Sequence, residues 1–137
     1  MDAQEQIRAL EKRISFLERL EPGTGLIDYF ATSTKVGWSA YTVSGLLYKR
    51  IGGLMYVFFF VEGTSNAATA SVTLPYNCIL DYTQNRIGTY DTSVLYSNGF
   101  ATISSGSNVL AFSPDAAGTA WQVAGTKRVI GEIVVPV

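Results

Sequence analysis

Residue types that perform acid–base or nucleophilic catalysis are scarce in this chain of 137 residues. It contains no histidine, which excludes Ser-His-Asp and Cys-His catalysis and removes the commonest zinc ligand. Its one cysteine, Cys78, lies between Asn77 and Ile79 in a strand-like context, which is typical of a buried, inert thiol rather than a nucleophile. With one cysteine, neither a disulfide framework nor a cysteine cluster for zinc can form.

Carboxylates are the remaining candidates for catalysis. A glycoside hydrolase needs two of them on opposite sides of the scissile bond, and Asp81 and Asp91 are spaced so that they could face each other across one hairpin. A cell-surface polysaccharide depolymerase is therefore a distant alternative, whereas solvated or turn-stabilising acids are the favoured interpretation. Calcium needs several oxygen ligands in one tight loop, but Asp91 and Asp115 each stand alone in theirs. We predict a protein that is not an enzyme and has no metal and no cofactor.

Aromatic side chains flanked by short polar ones indicate a ligand-binding surface. This combination suits a glycan, because ring faces stack on sugars while amides, carboxylates and hydroxyls bond to sugar hydroxyls. The competing interpretation is that these rings fill the core or a subunit interface, where Tyr and Trp are common. The predicted ligand surface consists of Tyr82, Gln84, Asn85, Tyr90, Asp91 and Trp121.

The first 21 residues predict a helical stalk that would carry such a surface. Apolar residues recur at alternating spacings of four and three, which is the seam of a coiled coil with isoleucine at the a positions and alanine or leucine at d. Pro22 and Gly23 then end the helix. The seam consists of Ala3, Ile7, Leu10, Ile14 and Leu17.

A helix of this length is marginal alone, so its apolar seam needs partners. Residues 13–18 resemble the trimerisation motif of short coiled coils, Arg-h-x-x-h-Glu with h apolar, which implies that Arg13 and Glu18 pair between helices. In that motif the arginine stem also covers the seam. We therefore predict a homotrimer. Phe16 and Leu20 widen the apolar stripe, and they leave open a helix that folds back on its own domain.

The rest of the chain has the composition of strands and turns, rich in Ser, Thr, Gly, Tyr and Val. Short runs that alternate apolar and small polar residues are separated by turn residues. A turn is predicted at Ser44-Gly45, and hairpins are predicted at Gly52-Gly53 and Asn98-Gly99. Residues 54–62 are apolar on both faces, which indicates a central strand covered on both sides. One side would be the domain core, and a subunit interface is a candidate for the other.

Roughly nine or ten strands without a second helix predict a mainly β fold, an antiparallel β-sandwich that is jelly-roll-like. The predicted domains are a trimerising coiled-coil stalk (1–21), a linker (22–36) and a β-sandwich head (37–137).

Charge and hydropathy exclude several classes of partner. The net charge is −1, so there is no electrostatic basis for binding nucleic acid or an anionic membrane. The longest apolar run, residues 52–61, is about half as long as a bilayer-spanning helix. No secretory signal opens the chain, because Met1 leads directly into a charged helix. We predict a soluble protein with no nucleic-acid partner and no membrane insertion.

Several segments resemble the head domains of bacteriophage fibre and minor virion structural proteins. They are Tyr48–Val57, a tyrosine, basic, isoleucine, glycine hairpin leading into a long apolar strand; Glu62–Ser65; Leu74-Pro75; and Trp121–Ile133, which is similar to the closing hairpin of such heads. A coiled-coil stalk before a β head is also their usual layout. Trimeric jelly rolls of the tumour-necrosis-factor and complement-C1q type are stabilised by the same physical principles. They are normally secreted, however, and the expected absence of a secretory signal favours the virion family.

The resemblance implies a non-enzymatic virion structural protein, a trimeric fibre or spike head on the particle surface, assembled in the host cytoplasm. Its partners would be a capsid or tail protein and a host-surface glycan or receptor, to which three copies would bind with avidity. The alternative is a head-fibre or capsid-decorating trimer without a receptor role. That alternative is favoured by the expectation that no separate anchoring domain precedes the coil, unless the chain is the tip of a longer fibre.

Overall fold

A computed structural model of the chain describes residues 2–19 and 25–137, apart from the side chains of residues 13–19 and of Ser97. Within these residues a single helix, α1 (Ala3–Arg19), precedes nine strands. The mainly β class predicted from the sequence is confirmed. The strands are β1 (Ile27–Asp28), β2 (Lys35–Val36), β3 (Trp38–Ile51), β4 (Leu54–Ser65), β5 (Ser71–Thr73), β6 (Tyr82–Asp91), β7 (Val94–Ile103), β8 (Val109–Ser113) and β9 (Thr126–Pro136).

The strands form one antiparallel sheet in the order β1-β3-β4-β9-β6-β7-β8-β5-β2, and it curls around a buried apolar core. Its two edge strands, β1 and β2, belong to one segment, residues 27–36, which pairs with β3 at one end and with β5 at the other. The Ser33 hydroxyl also donates to the Thr73 carbonyl at 2.8 Å. Because one segment holds both edges, the sheet is drawn round on itself. In place of the two layers of the predicted β-sandwich, the strands form one curled sheet. Residues 27–36, predicted as part of the linker, belong to the head.

The Gly52-Gly53 hairpin is confirmed, since Ile51 of β3 is paired with Leu54 of β4 across that turn. Gly52 has φ 59°, a left-handed angle that suits glycine. The next strand, β4, is central, as predicted, and lies between β3 and β9. Only its inward face is buried in the single chain, where Met55, Val57, Phe59 and Val61 enter the core.

Two predicted turns are wrong, and each has a physical reason. Strand β3 runs through Ser44-Gly45 without turning, and both residues are paired with β4. The local irregularity is a register shift between Tyr41 and Ser44, after which the β3–β4 ladder continues. Asn98-Gly99 lies inside β7 rather than at a hairpin. A Cβ at Gly99 would lie 2.6 Å from Thr89 Cγ2 and 2.8 Å from the Ser113 carbonyl oxygen. Glycine is required there by close packing between strands and not by a turn.

The turn between β6 and β7 is made instead by Thr92 and Ser93, with φ of 44° and 76°. Two positive φ angles are characteristic of a type I′ hairpin, which favours Asn-Gly and disfavours β-branched residues. Thr92 is held by bonds to a neighbouring loop: its hydroxyl donates to the Ala124 carbonyl at 2.7 Å and its N–H to the Thr126 carbonyl at 2.9 Å. Ser93 is exposed.

Ser93→Gly should therefore stabilise the head. We expect a gain of about 0.5–1 kcal/mol in the free energy of unfolding, because glycine removes the left-handed strain and loses no buried contact. Urea unfolding of the wild type and the variant measures this difference. Ser105→Gly is the control, since it alters another exposed serine and removes the bond from the Ser105 hydroxyl to the Ile79 carbonyl. A destabilised Ser93→Gly variant would contradict the strain argument.

Helix α1 begins with a cap, because the Glu5 N–H donates to the Asp2 carboxylate at 2.8 Å. Every side chain from Asp2 to Lys12 is exposed, including the seam residues Ala3, Ile7 (55%) and Leu10 (56%). Residues 2–12 therefore do not pack against the head, whereas Phe16 and Leu20, on which the fold-back alternative depends, lie outside the described side chains. The helix is confirmed, whereas the coiled coil and the trimer stay predictions. Arg13, Ile14, Leu17 and Glu18 have side chains outside the described residues.

The head has two distinct ends. At the stalk end the chain enters through Gly25, which is so close to Lys49 that a Cβ there would meet Lys49 Cε at 2.6 Å. The Gly52-Gly53 turn and the C-terminal end of β9 lie at the same end, where the Val137 N–H donates to the Gly53 carbonyl. The loop end lies opposite and comprises residues 64–70, 91–94 and 114–126.

Candidate functional site

Lys127 is the centre of the loop end. It lies second in β9 and is fully buried, with none of its surface exposed. The ammonium Nζ donates to three backbone carbonyls, those of Gly37 at 3.0 Å, Ala67 at 2.9 Å and Thr69 at 3.0 Å. These bonds connect β9 to the chain before β3 and to the loop between β4 and β5. One cation thus fixes backbone segments that are far apart in sequence.

The two tryptophans of the chain flank this ammonium. Nζ lies 5.5 Å from the ring centroid of Trp38 and 5.3 Å from that of Trp121, within the range of cation–π attraction. Both indole N–H groups are bonded as well: Trp38 donates to the Lys127 carbonyl at 3.1 Å and Trp121 to the Phe112 carbonyl at 2.9 Å. The rings replace part of the hydration that the buried cation has lost.

Asp91 fixes the next part of the loop end. It is buried at the end of β6, directly opposite Lys127 in the β6–β9 ladder. Its carboxylate accepts the Gln122 N–H at 3.1 Å, and the Gln122 carbonyl accepts the Ser65 hydroxyl. The loops after β4, β6 and β8 are therefore connected through side chains anchored in the sheet. The result is a fixed surface built from loops.

Burial lowers the pKa of Lys127 from its ordinary value of 10.5 to about 8, while the charge of Asp91 acts in the opposite direction. Between these two values the unfolded chain binds more protons at this position than the folded chain does. The contribution of Lys127 to stability therefore rises with pH across this interval and is constant below it.

We expect the stability difference between the wild type and Lys127→Met to increase as the pH is raised from about 7.5 to about 9.5. Urea unfolding at both pH values gives this difference, and the Met variant is the internal control because it keeps every other titrating group. A difference that shrinks with rising pH would contradict the lowered pKa.

The six residues of the predicted ligand surface do not lie on one surface. Asp91 and Trp121 are buried around Lys127, where they organise the loops and are not available for stacking on a sugar. Tyr82 and Gln84 are half-buried near the stalk end and belong to the inward face, because their β7 partners Ile103 and Ala101 are buried.

The remaining two residues, Asn85 and Tyr90, do not face the core. Asn85 is exposed, and half-buried Tyr90 lies under the Arg128 guanidinium at 5.5 Å. The physical reason for this division is an irregularity at Arg86, which has φ 61° and interrupts the β6–β7 register. It reverses which face each residue of β6 points to, so even-numbered residues point inward before it and odd-numbered ones after it.

The predicted carboxylate pair is not brought together. Asp81 directly precedes β6 and Asp91 is its last residue, so the two lie about 30 Å apart at the rise of an extended chain, and not across a hairpin. A glycosidase pair is separated by about 5–9.5 Å. Asp81 instead accepts the Ser105 N–H at 2.7 Å. These two residues cannot act on one glycosidic bond.

The other predicted groups have structural partners. Cys78 is buried, and its thiol donates to the Leu80 carbonyl at 2.7 Å. The Asp115 carboxylate accepts the N–H groups of Ala117 and Thr119, and bonds to Thr119 lower its pKa. In the described part of the chain no three metal-ligating side chains cluster. No helix within residues 2–19 and 25–137 is long and apolar enough to cross a membrane.

Lys127 was not among the predicted site residues, although the sequence contains a signal for it. Val129, Ile133 and Val135 are the inward residues of β9, and Lys127 has the same parity. A lysine at an inward position of a strand needs carbonyl or carboxylate partners. The sequence alone does not reveal them, since they come from Gly37, Ala67 and Thr69.

Comparisons of the chain with protein-family models, with curated proteins and with solved structures find no match.

Proposed function

We propose that this chain is a non-enzymatic structural protein of a virion, a stalked trimeric head of the fibre or spike type that attaches the particle to the host surface. In this proposal the helix joins three copies, and the loop end presents the surface that binds a host glycan or protein. The jelly-roll character of the head is part of the proposal, supported by the pairing of β4 with β9 and of β5 with β8, strands distant in sequence.

The observation that carries the proposal is the exposed seam of α1. Isoleucine and leucine side chains more than half exposed on one helix face are costly in water, and helices of other copies would cover them. The seam has heptad spacing, which suits association between helices rather than packing on a sheet.

The second support is the position and rigidity of the loop end. It lies opposite the point where the stalk joins the head, so that a stalk fixed to a particle would present these loops outward. Buried groups hold the loops in one conformation, which lowers the entropic cost of binding a ligand. Exposed Thr69, Gln122 and Val123 are the side chains that such a surface offers.

Immunogold electron microscopy tests the proposal on intact virions whose genome encodes this chain. Label on a tail tip or fibre is the expected result. Label over the capsid would overturn the attachment role in favour of a head-fibre or decoration trimer. An absence of label from the particles, with a pre-immune antibody as control and the purified protein as positive standard, would overturn the virion assignment.

A further inference from the structure

The outward face of strands β3, β4 and β9 is unusually apolar for a sheet face in water. Antiparallel sheets with one solvated face normally alternate apolar inward and polar outward residues. Here the residues of β4 on that face are Leu54, Tyr56, Phe58 and Phe60. Phe58 is 39% exposed, and Ile130 on the neighbouring strand β9 is 44% exposed.

A hollow of about 260 Å³ lies in this face, and its lining includes Gly45, Leu47, Phe58, Phe60, Ile130 and Gly131. The glycines shape it. A Cβ at Gly45 would meet no atom within 4 Å, so the space above that residue is open. Large side chains, such as Phe58 and Ile130, lie beside this open space. In a second copy the same side chains could fill the hollow of the first.

Charged residues of both signs adjoin the apolar area. Glu62 is paired across the β4–β9 ladder with Arg128, and Glu132 is paired with Phe58. The Arg128 Nε is buried and has no hydrogen-bond partner. An apolar area with adjoining acidic and basic residues suits a partner that carries the same pattern, such as a second copy of this chain.

The connection to the stalk points to the same partner. The chain enters the head at Gly25, against Lys49 of β3, and β1 pairs with β3 at Leu47 and Tyr48. Copies joined by their helices would thus hold their β3 and β4 strands next to the shared stalk. The outward face of β3, β4 and β9 adjoins the point where the chain enters the head. Copies joined by their helices could therefore bring these faces into contact more easily than other parts of their heads.

We propose that the outward face of β3, β4 and β9, centred on Phe58 and Ile130, is the surface through which the heads of neighbouring copies pack. This inference rests on the proposed function, in which the stalk makes the chain a trimer, and it adds the surface that joins the heads. Packing at this face fixes the orientation of the three loop ends relative to one another.

Reactivity of a cysteine at position 58 tests the contact in the full chain. The native Cys78 is buried and gives a low background. Phe58→Cys in the trimer should react with a maleimide at least about tenfold more slowly than Leu95→Cys, which replaces a strongly exposed residue of β7. Adding Ile14→Asp, which breaks the stalk seam, should raise the rate at position 58 and leave the rate at position 95 unchanged.

The outcomes separate the two proposals. A trimeric mass with equal rates for the two cysteines would overturn the head contact and leave the stalk trimer intact. A single-chain mass for the wild type would overturn the trimer itself, and the head contact with it.

Gly45→Arg provides a second test that leaves the protomer fold unperturbed, because the added side chain meets no atom of its own chain near the Cβ. We expect the arginine to occupy the hollow and to raise the concentration at which the trimer dissociates at least about tenfold. Leu95→Arg is the matched control and should leave this concentration unchanged. Equal behaviour of Gly45→Arg, Leu95→Arg and the wild type would overturn the inference.

Discussion

Lys127→Met should lower the free energy of unfolding of the head by about 3 kcal/mol, because three buried carbonyls lose the hydrogen-bond donor that they share. Methionine fills a similar volume and keeps the apolar stem contacts, so the loss reports the hydrogen bonds of Nζ and not a cavity. Urea unfolding followed by tryptophan fluorescence is well suited to this measurement. Both tryptophans of the chain flank Lys127, so the signal comes from the affected site.

The control for this prediction is Lys12→Met, which changes an exposed lysine of the helix. It should leave the unfolding midpoint of the head within experimental error, since surface substitutions are usually within about 0.5 kcal/mol. Lys127→Arg should also be less stable than the wild type, because the planar guanidinium is larger and cannot place its donors on the same three carbonyls. A Lys127→Met head as stable as the wild type would mean that packing alone holds the loops.

Ile14→Asp should convert the proposed trimer into single chains. The substitution places three carboxylates in the predicted seam, where each would be desolvated and close to two like charges. Sedimentation equilibrium measures the result as a mass that falls from three chains to one. The effect is expected to be complete at micromolar concentration, because a stalk of this length offers few other seam residues to compensate.

Ser15→Asp is the matched control, since it adds the same charge one residue away at a position that faces solvent in the heptad. It should keep the trimeric mass. A trimeric mass for Ile14→Asp would show that the head contact, and not the coil, holds the assembly. In that case combining it with Gly45→Arg should release the single chain.

Local patterns in the sequence were sufficient to predict several elements of the fold. The helix over residues 3–19 follows from its apolar spacing and from Pro22. The Gly52-Gly53 hairpin and the central strand after it follow from turn chemistry and from a long apolar run. Signals of this kind act between residues close in sequence, where spacing alone fixes geometry.

Other features depended on partners that no local pattern reveals. Asn98-Gly99 has a strong hairpin signature, yet Gly99 is needed because Thr89 and Ser113 approach it from neighbouring strands. The irregularity at Arg86 reverses the facing of every later residue in β6, and this decides that Asp91 is buried while Tyr90 is not. The β6 residues of a ligand surface predicted from aromatic and flanking polar residues were therefore placed on different faces of the sheet.

The amino-acid sequence by itself determined the class of fold, the N-terminal helix and the absence of histidine chemistry, because composition and short-range periodicity are properties of the chain alone. The tertiary structure decided which faces are covered. It buried Lys127 between two tryptophans and three carbonyls supplied by distant segments, and it left Phe58 and Ile130 on the outside. Burial depends on strand register and on which segments meet, and both are set by long-range contacts.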